Sequence, residues 1–219
     1  LTEIAHCGER NTLVSLGFKP NFLENEKDRI QSIYNYTISN YCTVFNIGKY
    51  AVVSKDYTTV DGTVVPIQFY VLEEDSSFAP KIIELKARDT KILEKYFGEY
   101  PWAKEKIGIA AVPNSGMEHQ TMITFQNKFV YSKIGVHDYS ANLYHEYGHE
   151  WFANKVTNKD WAHMWIQEGI TTYSEALVHY ELGGQEAYDE IISRHKRNTR
   201  NKKPMVGGEE LSEEEAYAG

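Results

Sequence analysis

The segment Tyr144-His145-Glu146-Tyr147-Gly148-His149-Glu150 constrains the fold more than any other stretch of this 219-residue chain. Two histidines four positions apart turn through about 400° on a helix, so they leave one face a single turn apart. Both ring nitrogens then reach one metal ion at roughly 2.0–2.1 Å each. Glu146 stands one position round, beside such an ion, where it can take a proton from water without being a ligand. The pattern is short enough to arise by chance in a chain with 8 histidines, and an i,i+4 pair on a surface helix is its competing reading.

Glu168 weighs against the surface pair. Eighteen residues lie between it and His149, enough to leave one helix, cross a loop and begin another. Zinc bound by two histidines for catalysis needs a third protein ligand and an open fourth position, and a carboxylate on a second helix supplies the ligand. The break is expected around Thr157–Asp160 and the restart near Trp165. Trp161, Met164, Trp165 and Ile166 surround Glu168 and are expected to be buried, which disfavours a solvent-facing role for it.

Upstream, the hydrophobic period changes once. From Tyr34 to Leu72 the text is β-rich, with Asp61-Gly62 as a hairpin signal between two strands. Pro66 places the second of these at an edge or a bulge. Ile82, Ile83, Leu85, Ile92, Leu93, Tyr96 and Phe97 then mark a helix from about Lys81 to Phe97, stopped by Gly98. IGIAAV at 107–112 and TMITF at 121–125 read as strands. Later helices are expected from Asp138 or Ser140 to about Asn154, from Trp165 to Leu182 (ended by Gly183-Gly184), and over 185–196. The fold class is therefore α+β. The chain divides near residue 79 into a β-sheet portion, 1–78, and a second domain, 79–219. The basic-then-acidic tail after Arg197 reads as a solvated loop.

Two longer stretches carry a resemblance. HEYGHEW followed by DWAHMWIQEGITTYSE resembles the zinc aminopeptidases of the aminopeptidase N type, within the gluzincins. Their signature is His-Glu-x-x-His, an 18-residue gap, then Glu in a Trp-x-x-Glu-Gly context. The thermolysin branch resembles it less well, its gap being one residue longer. Gly116-Met117-Glu118-His119, 27 residues before the helix motif, resembles the family's Gly-x-Met-Glu-Asn exopeptidase motif, with His119 in place of Asn. The resemblance implies a thermolysin-like catalytic domain following part of a β-domain, one Zn2+ ion on His145, His149 and Glu168, and Glu146 as general base. It also implies a peptide substrate whose free α-amine pairs with Glu118, beside Gly116 and Met117. Glu175, seven residues past Glu168, is a candidate to orient a ligand imidazole, and an i,i+4 pair with His179 is its alternative. The family's oxyanion-stabilising tyrosine has no match here, since Tyr217 comes too early. The chain, which opens at Leu1 without a starting Met, is accordingly expected to be a segment that binds zinc but hydrolyses peptides poorly.

Composition narrows the rest. A net charge of −8 disfavours nucleic acid and anionic membranes as partners, and no apolar run approaches the roughly 20 residues of a membrane helix. Cys7 and Cys42 stand in no metal-ligand spacing and read as ordinary thiols, with a disulfide between them as the alternative. Two rival functions follow: a thermolysin-like endopeptidase, against which Glu118 discriminates, and a non-catalytic scaffold on the same fold, which has no need of Glu146.

Overall fold

The computed structural model describes residues 3–6, 40–42, 44–126, 128–199, 204 and 206. Two short strands, β1 (Glu3–His6) and β2 (Phe45–Gly48), pair antiparallel. β3 (Tyr50–Thr58) and β4 (Val64–Leu72) form the hairpin expected from Asp61-Gly62, and Gly62 takes a φ of +88° in its turn. Glycine reaches that region without a steric cost. β4 next pairs parallel with β5 (Ile107–Val112) and β5 with β6 (Ile123–Gln126), giving the order β3-β4-β5-β6.

Two expectations change here. β4 is an internal strand, not an edge. Its ladder to β5 begins at Ile67, one residue after Pro66, so the proline falls where β4 has a neighbour on one side only. The sheet also draws strands from both sides of residue 79, so the boundary suggested there by the change of period runs through one sheet.

Val65, Ile67, Phe69 and Val71 alternate on β4 and are fully buried, facing α1 (Ala79–Phe97). α1 carries Pro80 in its first turn and buries Ile82, Ile83, Leu85, Ile92 and Leu93, while Tyr96 is exposed. Gly98 ends it with a φ of +83°, its N–H donating to the Glu94 carbonyl. A small hairpin, β7 (Ser132–Ile134) and β8 (His137–Tyr139), leads into α2 (Ala141–Gly148). Ser140 caps α2, accepting from Leu143 N–H at 3.4 Å, and Asp138 instead pairs with Lys81 and Lys133.

α2 is shorter than its pattern suggests. After His149 the chain opens into a wide π turn over Glu150–Lys155, with Phe152 and Ala153 off helical angles. A 3-10 turn, Trp161–Ile166, starts at Asp160, whose side chain accepts from Ala162 N–H. Trp165 projects outward from it at 41% exposure, contrary to expectation, because a three-residue turn does not follow the 3.6-residue period. α3 (Glu168–Asn198) is interrupted at Gly184, whose φ of +72° and ψ of −165° are not helical, so one helical stretch ends and another begins at Gly183-Gly184 as expected. α2 packs against β6 and α3, and α1 against both helices. Among the described residues no helix is long and apolar enough to cross a membrane. Cys7, Tyr217 and most of the tail lie outside the described residues. Cys42 is buried, and burial, with the Glu118 and Glu150 carboxylates nearby, pushes its thiol up to about 12, so it stays protonated.

Candidate metal centre

α2 and the start of α3 bring together the three side chains singled out as ligands. His145 Nε2 lies 3.2 Å from His149 Nε2 and 3.2 Å from Glu168 Oε2, and His149 Nε2 lies 3.6 Å from that same oxygen. The ring protons are assigned by what stands behind each imidazole. His145 Nδ1 is 2.8 Å from Glu175 Oε1, and His149 Nδ1 is 3.0 Å from the Phe152 carbonyl oxygen. A carboxylate and a carbonyl only accept, so each ring carries its proton on Nδ1 and turns a bare Nε2 lone pair inward. With both rings neutral, three acceptors would face one another, so the place calls for a cation, either a metal ion or a second proton on His145. A tetrahedral ion with ligands at about 2.0–2.1 Å sets its donor atoms roughly 3.3 Å apart, so the residues fit zinc.

A proton competes for the same place. Burial alone lowers the basicity of His145, but its hydrogen bonds to Glu168 and Glu175 win and raise it to about 10. His149 is buried more deeply, and burial keeps its pKa below the ordinary value. Glu175 reaches His145 through its carboxylate, whereas His179 reaches only the backbone carbonyl of Glu175. Thr171 Oγ1 stands 3.1 Å from His149 Nδ1, a contact not anticipated although Thr171 follows Glu168 by one helical turn.

Glu146 is 8% exposed and points into the same space. Burial, then the charge of Glu118, raises its pKa to about 8. Asn142, one turn earlier on α2, donates from Nδ2 to Glu146 Oε1 at 3.2 Å, and its i−4 spacing was the available signal for it. Gly116 lets this pair fit: a Cβ there would stand 2.6 Å from Asn142 Oδ1 and 2.7 Å from Glu146 Cγ. Met117 is held by backbone bonds to Thr124 at the margin of β6. Glu118 is buried, within 4.8 Å of Glu146 and His149 counted between ligand atoms, and its Oε1 has no hydrogen-bond partner.

The model of the peptidase family M1 domain matches residues 83–214. "Probable M1 family aminopeptidase 1" of Encephalitozoon cuniculi is 29% identical over 185 residues, covering 78% of this chain and 21% of its own length. Aminopeptidase B of Mus musculus is 31% identical over 119 residues, 53% of this chain and 18% of its own. The chain thus spans about a fifth of the length of the curated relatives it matches. Among solved structures, a mutant of the M1 zinc metallopeptidase from Deinococcus radiodurans bound to a Tyr-Ser-Ala substrate superposes with a TM-score of 0.65. That match has 21% identity over 82% of this chain and 39% of that one. Aminopeptidase A of Legionella pneumophila, in complex with aspartic acid, gives 0.58 at 21% identity, over 68% of this chain and 19% of that one. The likeness extends the α+β reading to the fold of a zinc metallopeptidase catalytic domain.

Proposed function

This chain belongs to peptidase family M1, and from that premise we propose that His145, His149 and Glu168 bind one zinc ion and that the whole protein removes N-terminal residues from peptides. The observation that carries the aminopeptidase reading is the unpartnered Oε1 of Glu118. A buried carboxylate oxygen without a donor is costly to keep, and a substrate ammonium supplies the missing donors in a charge-assisted bond. Pairing there also fixes the chain end, so that the first peptide bond lies over the metal.

Bound zinc supplies Lewis-acid activation of water and of the scissile carbonyl. The chain's own residues do the rest. Glu175 and the Phe152 carbonyl take the Nδ1 proton of each ring, which aims both Nε2 atoms at the place the ion would occupy. Asn142 fixes one oxygen of Glu146. Glu146 takes the proton of the attacking water and returns it to the leaving amine.

Two measurements test the proposal. Elemental analysis of the purified chain after zinc dialysis is expected to give one zinc per chain, and less than half an equivalent would remove the metal site. The whole protein is expected to cleave a peptide with a free N-terminus and to leave its N-acetylated counterpart intact. Equal cleavage of the two would sink the aminopeptidase reading.

A further inference from the structure

The segment carrying Glu118 has one costly corner. Thr121 has a φ of +56°, a conformation that a β-branched residue adopts only when its surroundings impose it. Gly108 on β5 supplies part of that surrounding: a Cβ there would stand 2.2 Å from the Thr121 carbonyl oxygen. The rest comes from the residue just after the ligand His149. Glu150 is 1% exposed, and its Oε1 accepts from Thr121 N–H at 2.8 Å. Its Oε2 accepts from Asn154 Nδ2 at 3.0 Å, and the same Nδ2 donates to the backbone carbonyl of Glu118 at 2.9 Å. The Asn154 N–H in turn donates to the carbonyl of His149. One carboxylate at the end of the metal-binding helix therefore holds both ends of the stretch from Glu118 to Thr121.

From these contacts we infer that Glu150 is a positioning residue for amine recognition. With Asn154 as its relay it sets the reach of the Glu118 carboxylate from the metal, although it touches neither substrate nor metal. A buried carboxylate is an expensive way to fill a core, and it is used here because a backbone N–H and a carboxamide both need an acceptor at one point. Orientation of His149 does not require it, since the Phe152 carbonyl and Thr171 already hold that ring. The inference rests on the reading of Glu118 as the amine-binding group.

The test is calorimetric titration of the zinc-loaded chain with L-leucinamide, with N-acetyl-L-leucinamide as control. Wild type should bind the first and not the second, and Glu118→Ala should lose the difference. Glu150→Ala should keep one zinc per chain and bind leucinamide about tenfold more weakly, the equivalent of one orphaned buried donor. Glu150→Gln, which retains an acceptor for Thr121 N–H, should recover most of that loss. Adding Thr121→Gly to Glu150→Ala should recover part of it, because glycine takes a positive φ without strain. A fully metallated Glu150→Ala protein with wild-type leucinamide affinity overturns the inference. Should that variant not fold, Asn154→Ala replaces it, and unchanged affinity there overturns the inference equally. Failure of wild type to distinguish the two amides would instead remove the amine reading of Glu118, and the role of Glu150 would fall with it.

Discussion

Two buried corners meet at the candidate metal centre, and they treat their carboxylates in opposite ways. On the open side, Glu118 leaves an oxygen without a donor, and Glu146 receives one bond, from Asn142. On the closed side, Glu150 is ringed by donors: Thr121 N–H, Asn154 Nδ2 and, at 3.4 Å, the Tyr100 hydroxyl. A saturated carboxylate holds structure together. An unsaturated one costs stability and keeps capacity for a ligand or a proton. The contrast separates residues for chemistry from residues for shape where composition would not, since all three are glutamates within a few ångströms of one helix.

The contrast can be broken by experiment. The largest effect is expected at Glu146: replacement by Gln in the whole protein should lower kcat by roughly 10²–10⁴-fold while zinc content and melting temperature hold. A large fall in melting temperature would move Glu146 to the structural side. Next comes stability. Glu150→Ala should destabilise the chain by about 1–3 kcal/mol through the orphaned Thr121 N–H, whereas Glu118→Gln should be neutral or stabilising. Denaturant midpoints that fell equally for both would erase the distinction.

The pH dependence of stability should then divide along the same line. His119, beside Glu118, is held down to about 4 by burial against an ordinary value of 6.5. Between those values the unfolded chain binds more protons, so stability is lost as pH falls from 6.5 to 4. Glu150 is raised to about 8, burial outweighing its hydrogen bonds from Asn154 and Thr121, against an ordinary 4.5. There the folded chain keeps the extra proton, so stability is lost as pH rises from 4.5 to 8. His119→Gln should flatten the acid limb and Glu150→Gln the other, read from denaturation midpoints across pH 4–8. The smallest effect belongs to Ala153, whose φ of +156° and ψ of −60° suit glycine. Ala153→Gly should stabilise the chain by about 1 kcal/mol, the relieved strain exceeding the entropy cost, and a loss of stability would mean the angles carry no strain.

The parts legible in the sequence were those with a fixed period or a fixed turn chemistry. His145 and His149 declare a shared helix face by spacing alone, Asp61-Gly62 declares its hairpin, and Gly98 its helix end. The departures lie where a tertiary neighbour overrides the local pattern. The periodic signal runs on past Gly148, but the carbonyl that accepts from His149 Nδ1 comes from Phe152 in a non-helical turn, so the helix had to open there. Glu150 reads locally as one more glutamate in a helical stretch, since the donors that make it structural lie at residues 100 and 121. Asn142 was readable in principle, being one turn from Glu146. Thr121 was not, because nothing in a β-branched residue announces a positive φ.

The sheet that ignores residue 79 has a practical consequence. β5 is buried along almost its whole length, from Ile107 to Ala111, and owes one of its two hydrogen-bonded flanks to β4. An expression clone begun at residue 79, where the sequence invites a cut, would strip that flank. It would present five apolar residues with a bare row of amides and carbonyls, the template on which strands of separate molecules assemble. The hairpin of 50–72 thus guards the peptidase-like half of the chain against aggregation, and any soluble version of the metal site should be made with it in place.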